Sequence, residues 1–460
     1  MFKGHVISVF VAVMLIIASF LPMSSDAGSV SPQATIGINI VLNMSITEEI
    51  LAELGTYGKV RDVLYKVGAL TMQVKADQLP SILALPYVEA ANPDAVRSGS
   101  PVDTVFVEDF SDGLSTWNLD AINVTDIGFG NRQVAYDGDG VYVAILDTGL
   151  LRTWRQYFPE ERIASEYAMC FGGGGGERGW ISSQPIKWGL DVNGHGTHVT
   201  STILGYSLNG VPINGVTPMA RIIPVKVLNQ NGRGWSSVVA RGIEYVGNLK
   251  AGPLADYPVV INMSLSGPEL DAVEKAAIDY AIAQGVIIVA SAGNEGTGGM
   301  GYPGAYEPVI SAAASGWVDE WQDPNWWWFL DVPEPMDPYD FYIVPWSSRA
   351  LTGQDLDVAA PGTWVVGPYQ TQMGKTSYYY LSGTSMASPH VAGTVALMAQ
   401  RDPGLTATEA ESILESTAVS LAPGCRDVEM PWGGMEEACW GANATGAGLL
   451  DAAAALAATP

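Results

Sequence analysis

Short apolar runs at 141–146, 222–227, 259–264, 286–290, 309–313 and 356–359 alternate with stretches of helical spacing at 195–204, 236–249, 270–284 and 385–400. A strand that is apolar along its whole length, rather than on alternate residues, has to be covered on both faces. Helices between such strands supply the crossovers that parallel neighbours need. The pattern predicts an α/β fold, a doubly wound and mainly parallel sheet with helices on both faces, whose ligand crevice lies at the carboxyl ends of the strands. The 460 residues, 48% apolar and only 15% charged, suffice for a sizeable core and do not resemble a disordered chain. The formal net charge of −26 offers no basic stripe for phosphates, which excludes a nucleic-acid partner.

The front of the chain departs from that pattern. Lys3 precedes the apolar stretch 6–21, and Ser24-Ser25-Asp26-Ala27-Gly28 follows it. Residues 1–27 therefore read as a signal peptide, the apolar stretch being shorter than the ~20 residues of a bilayer span. Export to an extracellular location follows, with no membrane span in the mature form. Residues 28–100 form a second region. The run Ile36-Gly37-Ile38-Asn39-Ile40-Val41 alternates, a helix begins near Thr47-Glu48-Glu49, and a second strand at 69–74 precedes a short helix over 79–83. So small an α+β unit is marginal by itself, and reads first as a prosegment docked on a larger body and second as a plain N-terminal domain. The large domain spans 115–455. It carries an insert at 317–346, rich in tryptophan, acidic residues and proline, which either folds back onto the domain or offers a surface to a partner. The chain ends soon after Asp451, so no added C-terminal domain is expected. Of three cysteines, Cys425 and Cys439 bracket a short loop and could pair in an oxidising compartment, leaving Cys170 as a buried thiol.

Four segments bring polar side chains to the predicted sheet edge. The strand ending Ile145-Leu146-Asp147-Thr148-Gly149 places Asp147 there, although a turn aspartate would look the same in isolation. His195 lies in Asn193-Gly194-His195-Gly196-Thr197-His198, at a helix start with glycine on both sides. Only four histidines exist, and His5 departs with the signal peptide, so an imidazole base must be His195, His198 or His390. A metal site on His195 and His198 is the rival, weakened by the lack of a Cys or Glu cluster. In Ser382-Gly383-Thr384-Ser385-Met386-Ala387-Ser388-Pro389-His390, Ser385 stands at a helix N-terminus, where backbone N–H groups and the helix dipole stabilise developing negative charge. Pro389 is expected in the first helical turn. Asn294, in Ala292-Gly293-Asn294, can donate to an oxyanion or serve as an ordinary turn residue.

These segments, in this order, resemble the signature segments of the subtilisin-like serine proteases, the subtilases. Trp117-Asn118-Leu119-Asp120, Gly215-Val216-Thr217-Pro218, Ile261-Asn262-Met263-Ser264 and Gly446-Ala447-Gly448-Leu449 extend the likeness over roughly 117–451. The resemblance implies a serine endopeptidase made as a self-cut precursor, in which Asp147 orients His195, His195 takes the proton of Ser385, and Asn294 helps hold the oxyanion. It also implies that Ser264, Leu265, Ser266, Ala292 and Gly293 line the substrate site, with substrate added as a strand against the first of these segments. Ser266 replaces the glycine more usual there. No cofactor is expected for the chemistry and no metal ligand is assigned; a structural calcium ion is allowed without a located site. The expected partners are protein or peptide substrates and the chain's own propeptide, on a monomer whose mature start falls between Arg97 and Ser115. The rival readings are a binding scaffold with a blocked cleft and, among enzymes, a processing protease of narrow sequence choice.

Overall fold

The computed structural model describes residues 33–98, 103–106, 115–126, 132–174, 180–321, 323, 327–334, 336–371 and 374–460. The expected signal peptide lies outside them.

Strands β1 (Thr35–Leu42), β2 (Gly58–Leu64), β3 (Ala69–Lys75) and β4 (Val88–Pro93) form an antiparallel sheet in the order β2-β3-β1-β4, covered by helices α1 (Glu48–Leu54) and α2 (Leu79–Leu83). Alternation along β1 sends Ile38 and Ile40 into a small core with Leu54, Leu70, Met72 and Ile82. Asn39, on the opposite face, is buried against the large domain.

The large domain follows β5 (Val96–Ser98), β6 (Asp103–Phe106) and a single helical turn at Trp117–Asp120. Its strands are β7 (Tyr142–Asp147), β8 (Met169–Gly173), β9 (Ile181–Ser183), β12 (Arg221–Lys226), β14 (Val259–Met263), β15 (Val286–Ser291), β16 (Ile310–Trp317), β17 (Phe341–Ile343) and β18 (Val358–Pro361), with the hairpin β10 (Tyr206–Leu208) and β11 (Val211–Ile213) and the short β13 (Arg233–Trp235) between them. They build a nine-stranded sheet, β17-β16-β15-β14-β7-β12-β8-β9, with β18 also paired to β16. Pairings within the sheet are parallel except those of β17 and β9. Successive residues of β7 go to opposite faces. Val143 and Ile145 join the core under helices α3 (His195–Leu204) and α6 (Thr384–Arg401), and Ala144 and Leu146 join the core under α4 (Ser236–Lys250) and α5 (Ala272–Ala283). The fold is thus the doubly wound α/β arrangement read from the sequence. Helices α7 (Ala407–Thr417) and α8 (Ala452–Ala458), a second sheet β19-β20-β6 with β19 (Val365–Gln370) and β20 (Thr376–Ser382), and the hairpin β21 (Gly424–Glu429) and β22 (Met435–Trp440) complete it. A disulfide joins Cys425 to Cys439 across that hairpin, and Cys170 is a buried free thiol whose pKa burial raises. Among the described residues, no helix is long and apolar enough to cross a membrane.

The small unit docks on the N-terminal ends of α4 and α5. Asp271 caps α5 with one oxygen, accepting from Val273 N at 2.9 Å, and with the other accepts from Asn39 Nδ2 at 2.7 Å and Asn92 Nδ2 at 2.9 Å. Helix α4 has no side-chain cap of its own; Asp94 supplies one, accepting from Ser237 N at 3.1 Å and Ser237 Oγ at 2.6 Å. Arg241 pairs with Asp62 at the rim.

The insert folds back. β17 pairs with β16, Trp327 and Trp328 are buried, and Trp321 lies 4.4 Å from Trp327 between ring centroids. Its anchor is Glu320, fully buried, which accepts from Trp317 N at 3.2 Å and from Thr363 Oγ1. Burial pushes its carboxyl up to about 8, well above its value in an unfolded chain. The folded state therefore binds this proton more tightly than the unfolded one, and the stability it contributes is present at low pH and is lost as pH rises from the ordinary carboxylate range through about 8. Glu320→Gln, in a Ser385→Ala background to prevent self-digestion, is expected to flatten the fall of the urea midpoint between pH 5 and 8; an unchanged slope would count against a buried neutral acid.

Candidate active site

Parallel pairing brings the ends of β7, β14 and β15 to one edge. Asp147 closes β7; its Oδ1 accepts from Thr148 N at 2.6 Å, and both its oxygens lie 2.9 Å from His195 Nδ1. Both residues are fully buried. Nδ1 carries the proton, because two carboxylate oxygens can only accept, and that leaves Nε2 as the ring's basic nitrogen. Nε2 is buried and has no hydrogen-bond partner.

The approach to His195 is held from below. Gly194, with φ of 95°, starts α3 without a side-chain cap. Asp191 accepts from Gly194 N at 2.7 Å, Asn193 N at 3.0 Å and Thr148 Oγ1 at 2.9 Å, while Thr148 Oγ1 accepts from Gly196 N at 3.0 Å. The residue after Asp147 is thereby tied to both sides of His195. Gly196 has no room for a side chain, since a Cβ there would lie 2.5 Å from Gly149 O.

The other histidines have structural settings. His198 Nε2 donates to Val365 O at 2.9 Å, and burial holds its pKa down at about 3. His390 donates from Nδ1 to Met386 O at 2.8 Å, accepts at Nε2 from Asn118 Nδ2 at 2.8 Å, and is held at about 4 by burial. Both rings are neutral at ordinary pH. Since His198 faces Val365 and not a site shared with His195 Nδ1, the pair does not form a metal site.

Helix α6 packs against α3 and carries Ser385 near its start. The helix begins at Thr384, so Pro389 falls in its second turn rather than its first. A residue there would normally donate its N–H to Ser385 O, and proline has none. Ser264 Oγ donates to that carbonyl instead, at 2.8 Å. In return Ser385 Oγ donates to Ser264 O at 3.2 Å. Behind them, Ser388 Oγ donates to Asn262 Oδ1 at 2.6 Å, and Asn262 Nδ2 donates to Ser264 Oγ at 3.0 Å. Asn294 Oδ1 accepts from both Thr384 N and Thr384 Oγ1 at 3.0 Å, which ties its amide to the residue before Ser385 and turns the donor end, Nδ2, away from those bonds. Gly293, with φ of 104°, donates from its N–H to Thr384 Oγ1 at 3.2 Å.

Leu265 and Ala292 are buried, and Ser291 Oγ donates to Leu265 O at 3.3 Å, linking the two segments expected to line a substrate site. Ser266 packs toward Gly301, where a Cβ would come within 2.7 Å of the Ser266 Cβ. The strand that enters this groove is the chain's own β5. It pairs antiparallel with β13; on its other side it approaches Gly267, where a Cβ would stand 2.4 Å from Val96 O.

Asp191, Asn262, Ser388 and β13 were not singled out from the sequence. Asn262 alone carried a signal, an amide inside an otherwise apolar strand. For the structural calcium that the resemblance allows, Asp355, Asp357 and Glu411 offer oxygens within 4.8 Å of one another, as do Asp120, Asp126 and Asp331. These are hard oxygen donors of the type calcium takes, and burial raises Asp120, Asp357 and Glu411 to about 7 without a cation.

Residues 138–433 match the family model described as the subtilase family, and the chain belongs to that family. It is a serine-type endopeptidase. It is 34% identical over 290 residues to Subtilisin DY of Bacillus licheniformis, an alignment covering 62% of this chain and 86% of that protein. It is 33% identical over 284 residues to Subtilisin BL of Lederbergia lenta, covering 62% of this chain and 85% of the relative. Among solved structures it resembles fervidolysin from Fervidobacterium pennivorans, a keratinolytic enzyme related to subtilisin, at 24% identity with a TM-score of 0.65. That match covers 93% of this chain and 62% of fervidolysin, and at this identity it shows the fold.

Asn262→Ala is expected to lower unfolding free energy by about 2–3 kcal/mol, because it leaves the buried Ser388 hydroxyl without its acceptor and removes the donor to Ser264 Oγ. Urea unfolding in the Ser385→Ala background measures it; a change within 0.5 kcal/mol, the range of an indifferent surface substitution, would mean the network carries no stability.

Proposed function

We propose that this chain is a secreted endopeptidase made as a self-cut precursor, with Asp147, His195 and Ser385 as its triad. His195 Nε2 accepts the Ser385 proton as Ser385 Oγ bonds to the peptide carbonyl carbon. The carbonyl becomes an oxyanion, held by the Ser385 N–H and Asn294 Nδ2 at the start of α6. Collapse breaks the C–N bond, the imidazolium gives its proton to the leaving amine, and an acyl-enzyme ester remains. Water, deprotonated by His195, then releases the acid and returns Ser385 to its hydroxyl form. The chemistry needs no cofactor.

The observation that carries this reading is the pairing of His195 Nδ1 with both Asp147 oxygens, with Nε2 left unpartnered on a helix packed against the helix of Ser385. In the precursor the Ser385 hydroxyl rests on Ser264 O, so arming it requires a turn toward Nε2. Residues 28–100 act as the propeptide, docked on α4 and α5 with β5 in the groove, the cut falling between Arg97 and Ser115. Secretion rests on the signal-peptide character of residues 1–27.

The test exposes the precursor and its Ser385→Ala twin to a fluorophosphonate probe and follows chain length and casein cleavage. Labelling, shortening and casein loss are expected only without the substitution; equal inertness in two folded proteins would favour the binding scaffold. Asn294→Ala is expected to lower kcat by about 10²–10³-fold, with much less effect on KM. His198 and His390, held by burial at about 3 and about 4, have already lost their protons above pH 5, so a rate that changes between pH 5 and 8 is not expected to come from either ring.

A further inference from the structure

Arg97, the middle residue of β5, is fully buried, and so is its partner Glu274 in the first turn of α5. Arg97 Nε donates to Glu274 Oε2 at 2.8 Å, and Nη2 reaches the same oxygen. Nη2 also donates to Glu269 O at 2.9 Å, and Nη1 to Val96 O at 3.0 Å. Each nitrogen of the guanidinium is thus engaged. Asp271 and Asp94 add negative charge around it.

The backbone carrying Arg97 lies between two walls. Arg97 is opposite Gly234 and Ser98 opposite Arg233 on β13. On the other side, a Cβ at Gly267 would stand 2.6 Å from Arg97 Nη1. An extended peptide hydrogen-bonded to a strand, with one side chain sunk in a pocket, is how a bound peptide is recognised. Gly267 follows Ser264, whose carbonyl receives the Ser385 hydroxyl. The chain is next described at Asp103, opposite Ser382 on the strand leading to Ser385. Arg97 therefore lies amino-terminal to Asp103, whose partner Ser382 stands three residues before the nucleophile.

A carboxylate this deeply buried is costly without a cation. When the segment bearing Arg97 departs, Glu274 Oε2 loses its partner, and Glu274 Oε1 has none even now. The geometry points to Glu274 as a specificity-determining residue: the pocket holding Arg97 selects protein and peptide substrates with an arginine at the corresponding place, upstream of the scissile bond. This rests on the reading of the chain as a self-cut peptidase with β5 bound as substrate would be. Arginine fits better than lysine, because Nε and Nη2 converge on one carboxylate oxygen while Nη1 and Nη2 also reach carbonyls; a single ammonium cannot span those acceptors. The competing account is a staple that only fastens the propeptide.

The test uses the mature, self-cut protein and two internally quenched peptides copying residues 94–116, identical except for arginine or norleucine at the Arg97 position. The wild-type kcat/KM ratio is expected to favour arginine by on the order of 30-fold or more, the scale of an unpaired buried charge. Glu274→Leu should abolish or reverse that ratio, which is taken within each protein so that a general loss of activity cancels. If Glu274→Leu does not mature, the Arg97→Leu/Glu274→Leu double variant, which replaces the buried pair by apolar side chains, serves instead with the same expectation. Fluorophosphonate labelling and casein cleavage run alongside. Absence of both sinks the peptidase reading itself. Labelled enzyme that degrades casein yet treats the two peptides alike, cutting both or neither, overturns the pocket and leaves the staple. A persisting arginine preference in the Leu variants overturns the role of Glu274.

Discussion

Four neighbouring parallel strands held level with one another are the constraint from which the site follows. Ile223, Ala144, Ile261 and Ile288 stand in one row across β12, β7, β14 and β15, and all are buried. Strands aligned in this way end together, so the residues that follow them emerge at one edge. Asp147, Ser264 and the Ala292-Gly293-Asn294 turn are there for that reason, and α3 and α6, packed on one face of the same sheet, bring His195 and Ser385 to meet them. Burial of both sheet faces holds the alignment, because slipping one strand by a residue would exchange the side chains it presents to the two differently packed cores.

Positioning at that edge is done by buried polar groups rather than by apolar contact. Thr148 and Asp191 fasten the end of β7 to the start of α3, and Ser388, Asn262 and Ser264 fasten α6 to the end of β14. Such groups are costly to bury singly, yet in closed chains each satisfies the next, and the result is a geometry with few alternatives. The same logic governs the docking of the N-terminal unit, whose Asn39, Asn92 and Asp94 meet donors and acceptors left open at the starts of α4 and α5.

The fold was legible where local pattern decides it. The fully apolar runs that became β7, β12, β14 and β15 could only be strands of a two-faced sheet, and alternation along β1 announced the small unit. The glycines around His195 and the Gly-Thr-Ser turn at Ser385 marked residues that need clearance. Less legible were β2, β19 and β20, which mix polar residues and tyrosines and owe their pairing to neighbours across the sheet. The partners that hold the site were hidden for a related reason. Arg97 and Glu274 are separated by 177 residues, and Ser264 and Ser385 by 121. An aspartate before a turn, such as Asp191, carries no local mark of the strand it will secure. Pro389 shows the limit from the other side: its residue type was informative, but its place in the helix depended on where the helix began.

That proline has a mechanical consequence. A helix with every carbonyl satisfied from within could slide or tilt against its neighbour independently, whereas the carbonyl of Ser385 is free to accept the hydroxyl of Ser264, and the Ser385 hydroxyl returns the bond. At rest the nucleophile's helix and the end of β14 are pinned to each other at two points, and the bond from Ser264 to the Ser385 carbonyl remains when the Ser385 hydroxyl turns toward His195. The opposite wall, the three residues of β13, is at least partly exposed along its length, so the cleft has one wall anchored in the core and one at the surface.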